Sequence, residues 1–259
     1  MRTLPPYFGD LGDDRQSVRV TTQHGFTLIE TVVVILVIGI LTSVALVRGD
    51  LSGTQARHRA TQREMEALTR AIVGDPALYS SSSRGSFGYV GDIGAFPVTL
   101  DDLLVSPVGW TTWRGPYMSS GTGAIDATRD EWGVAYVYSG VALQSTGSGS
   151  AITKALGGVT ADFTANSIRG VVTDVSGRPP GAAAASVTVT FIYPNGAGGA
   201  VSVSVSPTAN GAFSFANAPI GAHELRVVSS VSADTIRQTI TVTPRSVASV
   251  RARFGVSLW

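Results

Sequence analysis

Few side chains in this sequence are placed to do chemistry, and Glu30 is the first of them. From Phe26 to Val47 it is the only formally charged residue. As a helix rising about 1.5 Å per residue, this run would reach ~33 Å, against a bilayer hydrocarbon core of ~30 Å. A carboxylate inside such a run costs ~2.5–3.5 kcal/mol. Beside an ammonium it is tolerable, whereas either charge buried alone is costly. Other candidates are sparse. His24, His58 and His223 lie far apart, and the chain has no cysteine. No Ser/His/Asp set, phosphate-binding loop or metal-ligand spacing is present in the sequence. Asp101 and Asp102 sit at an expected helix start, where the dipole stabilises carboxylates without any catalytic role. The chain reads as a non-enzyme.

Around Glu30 the sequence is Gly25-Phe26-Thr27-Leu28-Ile29-Glu30. It resembles the processing site of type IV prepilins and type II secretion pseudopilins. The resemblance implies a polar leader over residues 1–25, a cut by a prepilin peptidase between Gly25 and Phe26, and N-methylation of Phe26. It also implies that Glu30 serves assembly by facing the N-terminal amine of a neighbouring pilin or pseudopilin subunit. The expected partners are therefore the peptidase, other subunits and the inner membrane. The apolar run follows the cut instead of preceding it, unlike a secretory leader. Lys/Arg flank both ends of the run and set orientation weakly. The resemblance places the N-terminus in the cytoplasm of a bacterium and the globular part in the periplasm or outside the cell.

These residues need a helix to carry them. Residues 26–74 read as one helix, with a transmembrane part at 26–47 and a second part packed on a globular domain. Met65, Leu68 and Ile72 fall at i, i+3 and i+7. Glu66 and Arg70 form an i, i+4 pair in the favourable order. Gly74-Asp75-Pro76 stops the helix. Net charge is +1 and 14% of residues are charged; with no basic stripe, no nucleic-acid partner is expected.

Residues 75–165 form the next expected domain. Thr99 and Asp102 suggest a capped turn. Trp113-Arg114-Gly115-Pro116-Tyr117 and Asp130-Glu131-Trp132-Gly133-Val134-Ala135-Tyr136 look like the globular domain of the major pseudopilin, with Glu131 where that family has Pro. Their aromatics read as a small core between helix and sheet. The family's calcium loop has a frame here in Leu143–Ser150, but Gly149 occupies its Asp position, and no acid occurs from Val141 to Val159. Calcium wants six to eight oxygen ligands, with carboxylates carrying most of the charge complementarity. Only Asp126 and Asp130, outside the loop, remain as candidates, and no metal or other cofactor is assigned.

Beyond residue 167 the texture changes to short alternating segments separated by turns. Strands are expected over Ser167–Asp174, Ser186–Tyr193, Ala200–Ser206, Gly211–Phe215, Ala222–Val228, Thr235–Val242 and Val247–Phe254, a seven-stranded β-sandwich. Gly170-Val171-Val172-Thr173-Asp174, Gly177-Arg178-Pro179, Gly211-Ala212-Phe213-Ser214-Phe215 and Pro219-Ile220-Gly221-Ala222-His223-Glu224-Leu225 resemble the carboxypeptidase regulatory, transthyretin-like domain. His223 stands where that family has a tyrosine, which would put it at the sandwich edge.

The expected fold class is α+β, a long N-terminal transmembrane helix packed on a small pilin-like β-sheet domain and followed by the sandwich over residues 167–259. The function this implies is that of a structural subunit of a pilus or type II secretion pseudopilus. The alternative is a non-polymerising, single-pass membrane-anchored protein that uses the sandwich as a binding module.

Overall fold

A computed structural model describes residues 25–80, 83–118, 126 and 128–259. The expected leader lies outside the described residues except for Gly25. The chain divides into two compact units, Met1–Leu51 and Ser52–Trp259.

Helix α1 (Leu28–Val73) begins in the first unit. Thr27 sets its start. The Thr27 hydroxyl accepts the Glu30 N–H at 3.3 Å, and its carbonyl accepts the Thr31 N–H at 3.1 Å. Threonine at this position satisfies a donor that has no partner within the helix. Side chains from Phe26 to Leu41 are exposed, Phe26 to 78%.

The membrane-spanning helix expected at 26–47 is corrected here. Among the described residues, no helix is long and apolar enough to cross a membrane. A span needs roughly 20 consecutive apolar residues. Helix α1 starts at Leu28, so Phe26 and Thr27 precede it, and Glu30 occupies its first turn. The uncharged stretch then runs from Thr31 to Val47 and ends at Arg48. The expected fold class, built on a transmembrane helix, falls with this finding. So does the single-pass inner-membrane location.

In the second unit α1 becomes amphipathic. Thr61, Met65, Leu68 and Ile72 are buried along one stripe. Glu66 pairs with Lys154, whose Nζ lies 3.6 Å from its carboxylate. The helix stops at Gly74, whose φ is +79° and whose N–H donates to the Arg70 carbonyl at 2.9 Å. A Cβ there would lie 2.3 Å from the Ser86 carbonyl oxygen. Gly74→Ala is therefore expected to cost at least ~2 kcal/mol, from left-handed strain and a backbone clash. Urea denaturation of both proteins checks it.

Strands β1 (Tyr79–Ser80) and β2 (Ser83–Arg84) form a small hairpin. Helix α2 (Gly88–Ile93) and a 3-10 turn at Leu100–Leu103 follow. In that turn the Asp102 carboxylate accepts the N–H groups of Val98 and Thr99, at 2.8 and 3.0 Å. Strands β3 (Val137–Tyr138), β4 (Ala142–Ser145) and β5 (Ile152–Ala155) make an antiparallel meander. The alternation at Val134, Tyr136 and Tyr138 yields only this short β3; the segment before it is mostly turn. Helix α3 (Ala161–Thr164) closes this half. Its core joins α1, α2, the 3-10 turn and the meander, with Trp110, Trp113, Tyr117 and Trp132 packed around it.

Seven strands follow, β6 (Asn166–Thr173), β7 (Val187–Pro194), β8 (Ala200–Val205), β9 (Ala212–Ala218), β10 (Gly221–Ser229), β11 (Thr235–Val242) and β12 (Val247–Arg253). They overlap the seven segments expected from the alternation, with ends displaced by up to three residues. One sheet has the order β11-β10-β7-β8 and the other β12-β6-β9. All pairs are antiparallel except β12 with β6, which is parallel. Inward residues of both sheets, including Ile168, Phe191, Phe213, Leu225, Val242 and Val250, share one core in a sandwich-like arrangement. The two cores of this unit are joined. Ile220, in the β9–β10 turn, is buried in the first core, and its N–H donates to the Phe163 carbonyl at 2.8 Å.

Candidate functional site

Gly25, Phe26 and Thr27 lie outside any helix or strand, directly ahead of α1. Nothing lies within 4 Å of where a Gly25 Cβ would stand, and Phe26 is exposed. A peptidase needs such an open, non-helical peptide bond, because backbone groups engaged in a helix cannot enter an extended cleft. Glu30 is the acidic residue of the helix's first turn. A carboxylate there gains ~0.3–1 kcal/mol from the dipole, which accounts locally for a charge in an otherwise apolar segment. Glu30 is exposed in the monomer.

The calcium candidates are placed quite differently from each other. Asp126 is exposed, with Arg129 Nε 3.0 Å from one oxygen. The Thr128 hydroxyl and N–H donate to its other oxygen, and these bonds, more than Arg129, hold the carboxyl below its ordinary value. Asp130 is buried. Its Oδ1 accepts the N–H groups of Trp132 and Val134, at 3.0 and 2.9 Å. Its Oδ2 accepts the Ser145 hydroxyl at 2.6 Å and the Gly147 N–H at 3.1 Å. A Gly147 Cβ would stand 2.6 Å from Oδ2, so only glycine admits this approach. Asp130 thus ties the 130–134 turn to the loop after β4, with four donors where a cation's charge would otherwise be needed. Among the described residues, no cluster of three His, Cys, Asp or Glu could hold a metal ion.

Nearby, the Glu64 carboxylate accepts the Tyr136 hydroxyl at 2.7 Å. Burial raises the Glu64 pKa, against the lowering effect of that bond, with Glu131, Asp130 and Asp126 adding to the rise. A cavity of about 600 Å³ is lined by Asp92, Arg114, Tyr117, Tyr193, His223 and Glu224 among others. The Asp92 carboxylate accepts the Tyr117 hydroxyl at 2.8 Å, and Arg114 Nε is 4.0 Å away. His223 does not sit at the sandwich edge. It is buried on β10, Nε2 is 2.9 Å from the Pro219 carbonyl, and its ring meets Phe191 edge-on. Burial holds its pKa below the ordinary histidine value despite the bond to Pro219. A neutral imidazole tied to a carbonyl is a structural group; Asp92, Tyr117 and Arg114 engage one another, Glu224 pairs with Arg237, and the buried Thr112 hydroxyl has no hydrogen-bond partner.

Comparison with known families returns one short match. Residues 21–46 match the model of the prokaryotic N-terminal methylation motif. No curated protein matches the chain at a significant level. The matched segment is a small fraction of the chain and contains Gly25, Phe26 and Glu30. It hints at pilin-like proteins, but membership of the pilin or pseudopilin families is not upheld, because no described helix can serve as the membrane-spanning assembly helix. The likeness of residues 167–259 to carboxypeptidase regulatory domains is not upheld either, since the matched segment ends at residue 46. The same finding overturns both functional readings drawn from the sequence, the filament subunit assembled through an apolar spanning helix and the single-pass membrane anchor.

Proposed function

We propose that this chain is matured at its N-terminus, by cleavage between Gly25 and Phe26 and methylation of the new Phe26 amine. The matured protein then works as a non-catalytic interaction protein. The match of residues 21–46 to the methylation motif carries this reading. The open Gly25-Phe26 bond, ahead of a helix that Thr27 caps, supports it. After cleavage the Phe26 amine would lie close to the first turn of α1, where Glu30 offers an opposite charge to the free end. The partners this reading names are a processing peptidase and a methyl donor enzyme. The lack of catalysis is supported by how the candidate groups are used. Asp130 is saturated by donors, and His223 is buried against a carbonyl.

Intact-mass measurement and N-terminal sequencing of the protein from its native cells test the reading. The expected product begins at N-methylated Phe26, and Gly25→Val leaves residues 1–25 attached. A native chain that retains residues 1–25, or begins elsewhere, overturns it.

A further inference from the structure

The sandwich has four edge strands, and three of them are guarded. On β11, Arg237 lies 3.5 Å from the Glu224 carboxylate. The Gln238 side chain donates to the Arg251 carbonyl at 3.1 Å, which closes the corner toward β12. Strand β12 carries Arg251 and Arg253. Strand β9 shifts register against β6, and its Asn217 has φ +57°. Charges, bulges and covered edges of this kind keep a strand from pairing with strangers.

Strand β8 has none of these devices. Ala200–Val205 contains no charge and no proline, and it pairs with β7 without a register shift. Among the described residues, no strand pairs with its other side. Val201, Val203 and Val205 stand opposite Tyr193, Phe191 and Val189, and so on the core side of the sheet. Phe191 and Val189 are fully buried, yet Val203 is 38% exposed. Core-side valines are thus left open at an edge whose backbone groups are unpaired along one side.

The sequence of this edge identifies its occupant. Val201-Ser202-Val203-Ser204-Val205 reads the same in both directions. An antiparallel two-fold through Val203 therefore sets every residue opposite its own kind. Val201 meets the partner's Val205, Ser202 meets the partner's Ser204, and no like charges meet. We infer that β8 is a homotypic pairing edge, through which two copies of this chain join their four-stranded sheets into one continuous sheet. A closed two-fold of this type uses the same patch on both subunits. The inference does not depend on N-terminal processing.

The exposed apolar side chains of α1 give the full chain a second route to association, so the experiment must read register as well as mass. The chain lacks cysteine, and single-cysteine variants report unambiguously. Directly opposed Cβ atoms lie about 4.5–5.5 Å apart and diagonal ones about 7–8 Å, while a disulfide needs about 3.5–4.5 Å. Under mild oxidation, Ser202→Cys mixed with Ser204→Cys is expected to give a crosslinked heterodimer, with each variant alone giving several-fold less. Val203→Lys, which sets two ammonium groups face to face, is expected to abolish the crosslink when added to both, with circular dichroism unchanged. Equal crosslinking by each variant alone, or no crosslinking in the mixture, overturns the inference. So does crosslinking that survives Val203→Lys.

Discussion

Asp130→Ala is expected to destabilise the second unit by about 3 kcal/mol, because it strips the acceptor from four donors at once. Those donors are the Ser145 hydroxyl and the N–H groups of Trp132, Val134 and Gly147. The carboxylate is covered by its own turn and by the loop after β4, and water has little access to replace it. A loss of this size lowers Tm by roughly 6–12 °C in a unit of about 200 residues. The pH dependence follows from the direction of the shift. Burial raises the Asp130 pKa, but the bonds from Ser145, Val134, Gly147 and Trp132 outweigh it and leave the value lowered. A carboxyl whose folded pKa is depressed contributes stability above its unfolded value and loses it as pH falls through the folded one. The gap between wild type and Asp130→Ala is therefore full at pH 7 and narrows as pH is taken below about 4. Urea denaturation across that range measures it. A gap that is small at pH 7, or that does not narrow in acid, would show that the four bonds do not matter.

The role of Asp130 was hidden from the sequence for a definite reason. The Leu143–Ser150 frame, by its resemblance to a calcium loop, directs attention to a cation, although the loop itself holds no acid. Three of the four groups that saturate Asp130 are backbone N–H donors, which every residue but proline has. Gly147 was the visible trace, since it must lack a side chain for Oδ2 to approach. The stripe of Met65, Leu68 and Ile72 was legible because helical period is a local property. The seven strands were legible because alternation is local too. Partner choice is not local. Nothing in residue order says that β12 runs parallel to β6, or that Lys154 reaches Glu66 from β5. The resemblance puts His223 at the sandwich edge, and alternation cannot correct it, because it shows which residues share a face without showing whether the strand is central. Here β10 lies between β7 and β11.

The first unit teaches the converse. Counting apolar residues from Phe26 ignores where the helix begins. Thr27 caps it, so Phe26 and Thr27 do not contribute rise, and Glu30 falls where a helix favours an acid. The Thr27-Leu28-Ile29-Glu30 order has the form of a capping signal, and it was present in the sequence within the methylation motif itself. One short segment thus sets both the open peptide bond and the helix that follows it.

Phe191→Ala is expected to be the most damaging single truncation in the sandwich, at ~3–5 kcal/mol. Phe191 is fully buried on the central strand β7. It stacks on Tyr193 with centroids 4.7 Å apart, and contacts Phe215 and His223 at 5.5 Å each. A cavity there removes contacts from both sheets, since Phe215 belongs to β9. Phe191→Leu, which keeps most of the volume, should cost clearly less. The loss has a second readout. Burial depresses the His223 pKa, so the folded protein resists the proton that the unfolded chain accepts. Stability from this source is complete above the unfolded value of about 6.5 and declines as pH falls through the folded one. Opening a cavity against the imidazole edge lets water reach it, and the His223 pKa should climb back toward the ordinary value in Phe191→Ala. Titration of the His223 ring by NMR in both proteins tests this. An unchanged His223 pKa alongside a large loss of stability would mean that the sandwich collapses around the gap and that Phe191 does not shield the histidine.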